Sequence, residues 1–355
     1  MFLTLKNIGK IRKAEIELKG ITVIAGENNT GKSTVGKALY CMFNSLYGLK
    51  NEIRQTRRLM LEYMIYDSFD MEFKSWHIDI GRLAERIIAG RTGGENEDVQ
   101  VWLKKTVLDY LDEYPGFKED CRERIKEEQI EPFLKKIKEF LAISDEAIAV
   151  RILQKNIDAE FKGQIGSFSA VKTESEIGLK IKDREIRADL EGKQVLYLEG
   201  MADLKTQAFY LDDPFILDEL FSGRGFMTAG RRLDQMPESS RNFMTHRNRL
   251  KYCLESREVE GVIEELIIDS RMKRILDKID TVCHGELRPS ERSGCQLSDN
   301  AFAEPLCAEN ISTGLKTFII LKTLLVKGYL EDNGTIILDE PEVHLVFGAV
   351  KVFLD

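Results

Sequence analysis

Three features of the 355-residue chain predict an α/β fold. An apolar run, ITVIA at residues 21–25, passes directly into the pattern G-x-x-x-x-G-K-S at Gly26–Ser33 and then into helix-forming sequence. A second apolar run, TIIL at 335–338, ends in Asp339-Glu340. Between them lies a long block of amphipathic helical periodicity, followed by short alternating runs typical of antiparallel strands.

In chain order, FLTLKNIG and IRKAEIEL are strand-like with partial alternation, and a turn at Gly9-Lys10 predicts that they pair as a hairpin. ITVIAG follows Gly20 and reads as a buried strand, because a short apolar run bounded by glycines suits a sheet interior. The loop Gly26–Ser33 has the composition of a phosphate cradle. Gly26 and Gly31 have no Cβ, so backbone N–H groups can approach an anion closely, and the following helix adds its positive dipole end. Lys32 can reach β- and γ-phosphates, and the Ser33 hydroxyl suits Mg²⁺ ligation. A helix is predicted from about Lys32 to Tyr47.

From about Leu49 to Phe161 the sequence turns charged and periodic. Ile125, Ile130, Phe133, Leu134, Ile137, Phe140 and Leu141 recur at three- and four-residue spacing, and Gly93-Gly94, Pro115-Gly116 and Pro132 keep the helices short. Residues 49–163 therefore read as a helical insertion. Residues 164–294 read as antiparallel strands (EIGLKIK, REIRADL, QVLYLEG and TQAFYL) followed by helices from Ile216 through Lys278. Residues 1–48 and 295–355 form the predicted core that carries both motifs. There, Ser312-Thr313-Gly314 turns into an apolar helix, Leu315 to Gly328, and Asn333-Gly334 turns into the strand Thr335 to Leu338.

Hydrophobic residues make up 43% of the chain and charged residues 32%, a globular composition. No apolar run approaches a membrane span and the amino terminus has no secretory stretch, so a cytoplasmic protein is expected. The formal net charge of -8 argues against a surface that coats nucleic acid as a whole. A local basic groove stays open at Arg224 to Lys251, which includes Arg231, Arg232, Arg241, His246, Arg247 and Arg249; the alternative is a solvated face with internal ion pairs. The six cysteines show no C-x-x-C spacing, and the nearest approach to a ligand group, Cys283-His284 with Cys295 and Cys307, lacks the close pairs of a zinc site.

An apolar strand that ends in Asp-Glu complements a phosphate loop. The Asp339 carboxylate suits the magnesium shell, and Glu340 suits orientation or deprotonation of an attacking water. Together GENNTGKST, NISTGLK and TIILDEPEVHL, in that order, resemble the ABC-type ATPase heads of SMC-like, RecF-like and OLD-like proteins. The resemblance implies a P-loop NTPase head with an antiparallel β subdomain and a helical insertion, acting on ATP with Mg²⁺. It implies a nucleotide-binding set of Gly26, Asn28, Asn29, Thr30, Gly31, Lys32, Ser33 and Thr34, with Ser33 and Asp339 as metal ligands and Lys32 and Glu340 in catalysis. It also implies that Ser312 and Gly314 act as a signature that reaches the nucleotide of a second subunit, so that a homodimer closes around two nucleotides. For Ser312 an N-cap role is the alternative, and both can hold. Gln164, at the junction between helices and strands, matches the nucleotide-sensing glutamine of such heads by position, or is a plain polar loop residue.

The resemblance covers about residues 1–47 and 295–345, and fails at the carboxy terminus. After Val343-His344-Leu345 the text VFGAVKVFLD departs from the H-P that relatives carry, and a strand that such heads insert between the two motif strands is not evident. Val350–Leu354 is strand-like, but stands too close to Leu338 for a normal parallel crossover. A truncated or frame-altered chain, a fragment, or a partner that supplies the strand is therefore expected. Two functions follow: an ATP-hydrolysing head in a bacterial DNA-maintenance or phage-defence system, or a non-catalytic nucleotide-binding subunit that controls a partner such as a nuclease. A transporter subunit is disfavoured by the helical insertion and by the spelling of the signature.

Overall fold

The computed structural model describes residues 1–75, 77–90, 99–114, 123, 125–168, 174–221, 245–256, 270–290, 294–330 and 334–341. The chain divides into two compact units, Met1–Leu49 with Val150–Asp355, and Lys50–Ala149.

In the first unit the predicted hairpin forms: β1 (Phe2–Ile8) pairs antiparallel with β2 (Ile11–Glu17), from Phe2 opposite Glu17 to Ile8 opposite Ile11. β3 (Glu174–Ile181), β4 (Arg184–Glu191) and β5 (Gln194–Glu199) extend it into a five-stranded antiparallel sheet of order β2-β1-β3-β4-β5. Alternation works as expected. Leu3, Leu5, Ile177, Leu179, Ile186, Ala188 and Leu190 are buried on one face, while the intervening residues are more exposed.

The fourth run, TQAFYL, does not join this sheet. Its strand β6 (Ala208–Leu211) pairs in parallel with β10 (Thr335–Leu338), in the register Ala208–Thr335 to Leu211–Leu338. The physical reason lies in the sequence: all four residues Ala-Phe-Tyr-Leu are buried, as in a parallel strand covered on both faces, whereas a half-exposed antiparallel strand alternates. Helix α1 (Lys32–Leu46) packs against β6 at two points. A Cβ on Gly36 would lie 2.6 Å from the Tyr210 ring and 3.1 Å from Ile337, so only glycine lets helix and sheet approach this closely. About two turns further on, the Asn44 amide bonds both backbone groups of Ala208, at 3.0 and 3.1 Å. This satisfies the outer edge of the short strand.

The strand expected at residues 21–26 is not formed. Residues 22–27 lie in no strand, and Ile21, Val23 and Ile24 are exposed. A parallel strand exists only where a neighbour accepts its backbone groups, and among the described residues β10 has β6 alone beside it.

Helices α2 (Leu49–Ser75), α3 (Ile80–Gly90), α4 (Val99–Asp112) and α5 (Ile130–Leu141) build the second unit around a cluster that includes Leu61, Ile65, Leu103, Tyr110, Phe133 and Ile137. Arg57, nearly buried there, bonds Asp145 at 2.7 Å and the Ile143 carbonyl at 2.6 Å. α6 (Asp145–Phe161) leads back into the first unit.

Beyond β6 an Asp213 side chain caps a 3₁₀ turn at Pro214–Glu219. α7 (His246–Glu255), α8 (Ser270–Asp280) and α9 (Thr313–Val326) then pack with a three-stranded antiparallel sheet, β7 (Glu286–Ser290), β8 (Gly294–Ser298) and β9 (Leu306–Cys307). Those three strands were not anticipated; Pro289 argues against a strand, and is accommodated because β7 is an edge. Cys253, Cys283 and Cys295 are buried in the apolar cluster here with Phe209, Phe318 and Ile320. No helix among the described residues is long and apolar enough to cross a membrane. Arg231, Arg232, Arg241, His344 and Val350–Leu354 lie outside the described residues.

Candidate functional site

The loop Gly26–Ser33 is exposed and folds around its own lysine. The Lys32 ammonium donates to the Gly26 carbonyl at 2.8 Å and the Glu27 carbonyl at 3.0 Å, while the Thr30 hydroxyl donates to Glu27 O at 2.8 Å. Asn29 has a φ of 67° and Gly31 a φ of 107°, so the chain turns sharply into α1 through a conformation that glycine adopts without strain. A side chain at Gly31 would also meet Ile11 at 3.0 Å. With no acidic residue in the first turn of α1, its unpaired amides and dipole favour an anion. Thr34 lies against Gly9 of the β1–β2 turn.

Asp339 stands at the carboxyl end of β10, level with Asp212 at the end of β6, because Leu338 and Leu211 are in register. Ends of parallel strands are where α/β sheets bind ligands. The Asp339 amide bonds the Leu211 carbonyl at 3.0 Å, and its Oδ2 accepts a 2.6 Å hydrogen bond from the Tyr210 hydroxyl. The Ser33 side chain lies beside the same phenol, near enough to act on it electrostatically. Ser33 and Asp339, from opposite ends of the chain, therefore converge on one group. Glu340 follows with a φ of 49°, turning abruptly away from the strand, and is exposed.

Behind Tyr210 sits a charge cluster of buried Glu160 and His246 with partly exposed Asp212. His246 Nδ1 lies 2.7 Å from Glu160 Oε2 and Nε2 lies 3.0 Å from Asp212 Oδ2, while the His246 amide donates to Glu160 Oε1 at 2.5 Å. Burial alone would lower the imidazole's pKa; hydrogen bonds and charge from Asp212 and Glu160 overcome it and push the pKa up to about 9. Burial raises the Asp212 carboxyl, but the imidazole's hydrogen bond and charge outweigh it and hold the pKa below its usual value. The His246 ring meets Tyr210 edge-on at 4.6 Å and Tyr40 at 6.1 Å between centroids. One signal pointed here: YLDD repeats the pattern of ILDE, an apolar strand that ends in two acids.

The described part of the basic stretch is internally paired. Arg247 bonds Asp213 and Glu219, and Arg249 bonds Gln207.

At the second predicted motif, Ser312 is the N-cap residue of α9 by position, yet its hydroxyl makes no capping bond and it is exposed. Lys316 of the same motif is fully buried and paired with Asp218 at 2.5 and 2.6 Å. Gln164 is exposed, in a turn tied to the first hairpin by Gly9 N to Ile165 O at 2.9 Å and Phe168 N to Gly9 O at 3.0 Å. No group of three or more His, Cys, Asp or Glu among the described residues is arranged to hold a metal. What Ser33 and Asp339 supply is a hydroxyl and a carboxylate, the sparse oxygen set that Mg²⁺ uses beside phosphate oxygens and water.

Residues 1–162 match the family model described as AAA ATPase domain, a span that contains the whole loop and α1. Over that span the chain is similar to an AAA-type ATPase domain, which implies a P-loop NTPase fold and suggests ATP binding or hydrolysis, typically with Mg²⁺. No curated protein and no solved structure matches the chain.

Proposed function

We propose that the chain is an ABC-type ATPase head of the SMC-like, RecF-like and OLD-like group. It binds ATP with Mg²⁺, hydrolyses it, and closes as a homodimer around nucleotide to do mechanical or regulatory work in bacterial DNA maintenance or phage defence. The observation that carries this reading is the convergence of Ser33 and Asp339 on the Tyr210 hydroxyl at the mouth of the Gly26–Ser33 loop.

Lys32 is held by two carbonyls of its own turn, a position from which its ammonium can transfer to β- and γ-phosphate oxygens. The amides of residues 31–34 line the remaining phosphate oxygens. Ser33 and Asp339 would hold Mg²⁺, which when bound neutralises charge between the phosphates. Exposed Glu340 accepts the proton of the attacking water. Ser312, with a hydroxyl not engaged in capping, and Gly314 approach the γ-phosphate bound by a second copy, and Gln164 senses the nucleotide from its turn beside the first hairpin.

A second reading is a non-catalytic nucleotide-binding subunit that regulates a partner such as a nuclease. The unformed strand at 22–27 favours it, because the loop then lacks the rigid strand that turnover requires. Either form would meet DNA through the basic stretch Arg224 to Lys251.

Magnesium-dependent ATP turnover by the wild type, Lys32→Ala and Glu340→Gln tests both. The catalytic reading expects Lys32→Ala to lose nucleotide binding, and Glu340→Gln to keep binding while losing roughly 10²–10⁴-fold in turnover, the usual worth of a general base. Equal turnover in all three refutes the assigned roles. Tight binding without turnover in the wild type selects the second reading.

A further inference from the structure

We infer that Tyr210 is a positioning residue for the magnesium site: its hydroxyl fixes one oxygen of Asp339 so that the other faces the metal held with Ser33. The inference rests on the nucleotide reading above and adds a residue that neither motif contains.

Geometry carries it. The 2.6 Å contact from Tyr210 to Asp339 Oδ2 has the length of a charge-assisted O–H···O⁻ bond. A carboxylate at a strand end can otherwise rotate about its side-chain torsions. With Oδ2 engaged, Oδ1 is the oxygen left for a metal or its water. The phenol itself is held from several sides. Gly36 of α1 lies against the ring, where a Cβ would be 2.6 Å from Cε2. His246 packs edge-on at 4.6 Å and Tyr40 at 6.4 Å between centroids. The backbone of Tyr210 is pinned in the β6–β10 ladder opposite Ile337. Because His246 is anchored by Glu160 and Asp212, helices α6 and α7 both bear on the orientation of one metal-holding carboxylate.

The phenol is the donor in this bond, because an ionised carboxylate can only accept. Two opposing effects act on the metal: the hydrogen bond withdraws charge from the carboxylate, weakening its pull, and it removes rotational freedom, strengthening the site. Partners that orient a ligating group usually contribute net affinity, and their loss costs roughly 10- to 100-fold. Orientation is thus expected to win.

The test uses the full chain and a fluorescent ATP analogue, with binding titrated against Mg²⁺ and repeated in EDTA. Tyr210→Phe is expected to raise the Mg²⁺ midpoint by about 10-fold while leaving affinity in EDTA unchanged. In an Asp339→Asn background the same substitution is expected to have no further effect, a non-additivity that a merely structural role would not produce. Gly36→Ala keeps the hydroxyl but displaces the ring, and is expected to raise the midpoint in the same direction; it supplies the readout if Tyr210→Phe does not fold. A wild-type or lower Mg²⁺ midpoint in folded Tyr210→Phe, with the wild type still showing magnesium-dependent binding, overturns the inference. Absence of magnesium-dependent binding in the wild type instead overturns the functional reading on which it rests.

Discussion

Replacing His246 with Gln removes the imidazolium held between Glu160 and Asp212, and the structure sets both the size and the pH window of the effect. The imidazole is enclosed by Glu160 of α6, Asp212 at the end of β6, and the rings of Tyr40 and Tyr210. Its pKa rises from 6.5 to about 9. At about 1.4 kcal/mol per pH unit this corresponds to about 3 kcal/mol of preference for the folded, protonated form. Since the folded pKa lies above the unfolded one, that stability is fully present below pH 6.5 and is lost as pH rises through 9. Urea unfolding of wild type and His246→Gln across pH 6 to 10, taken as a difference at each pH, cancels groups that titrate identically in both. The expected gap is about 3 kcal/mol at pH 6, where Gln leaves Glu160 buried without its cation, closing to within about 1 kcal/mol near pH 10. A gap that stays constant, or widens with pH, refutes a charged imidazole in the folded state.

Two further outcomes follow from buried groups near the site. Asp218→Asn strands the fully buried Lys316 ammonium, and is expected to destabilise by about 3–5 kcal/mol in urea unfolding, more than Lys316→Met, which leaves the partly exposed Asp218 able to reach water. Asn44→Ala leaves the Ala208 N–H and C=O without their side-chain partners; about 2–4 kcal/mol is expected from the same assay, and a loss below 1 kcal/mol contradicts the bonding described for the edge of β6.

Much of the local structure was legible because it depends on local chemistry. Alternation in FLTLKNI and IRKAEIE marks a half-buried hairpin, Gly31 marks a turn that needs positive φ, and Leu134, Ile137 and Leu141 mark one helix face. The pairing of TQAFYL was misread because adjacency along the chain favours an antiparallel neighbour, while its uninterrupted burial favours a parallel one; burial decided the outcome. The cluster of Glu160, Asp212 and His246 was illegible for another reason. Its members are separated by 52 and 34 positions and none has a spacing rule, so only the packing of α6, β6 and α7 brings them together.

The two motifs also differ in what holds them. The turn at Gly31 and the bonds from Lys32 to Gly26 and Glu27 are local, so the loop takes its shape although residues 22–27 lie in no strand. Asp339 has no such autonomy: its backbone depends on Leu211 and its carboxylate on Tyr210, both in β6. The position of the carboxylate relative to Ser33 is consequently set by the contact between α1 and β6, where Gly36 gives the clearance and Asn44 the polar bonds. A phosphate loop can thus be recognised from eight consecutive residues, whereas its metal partner acquires its geometry only when a strand from the middle of the chain packs under the loop's own helix.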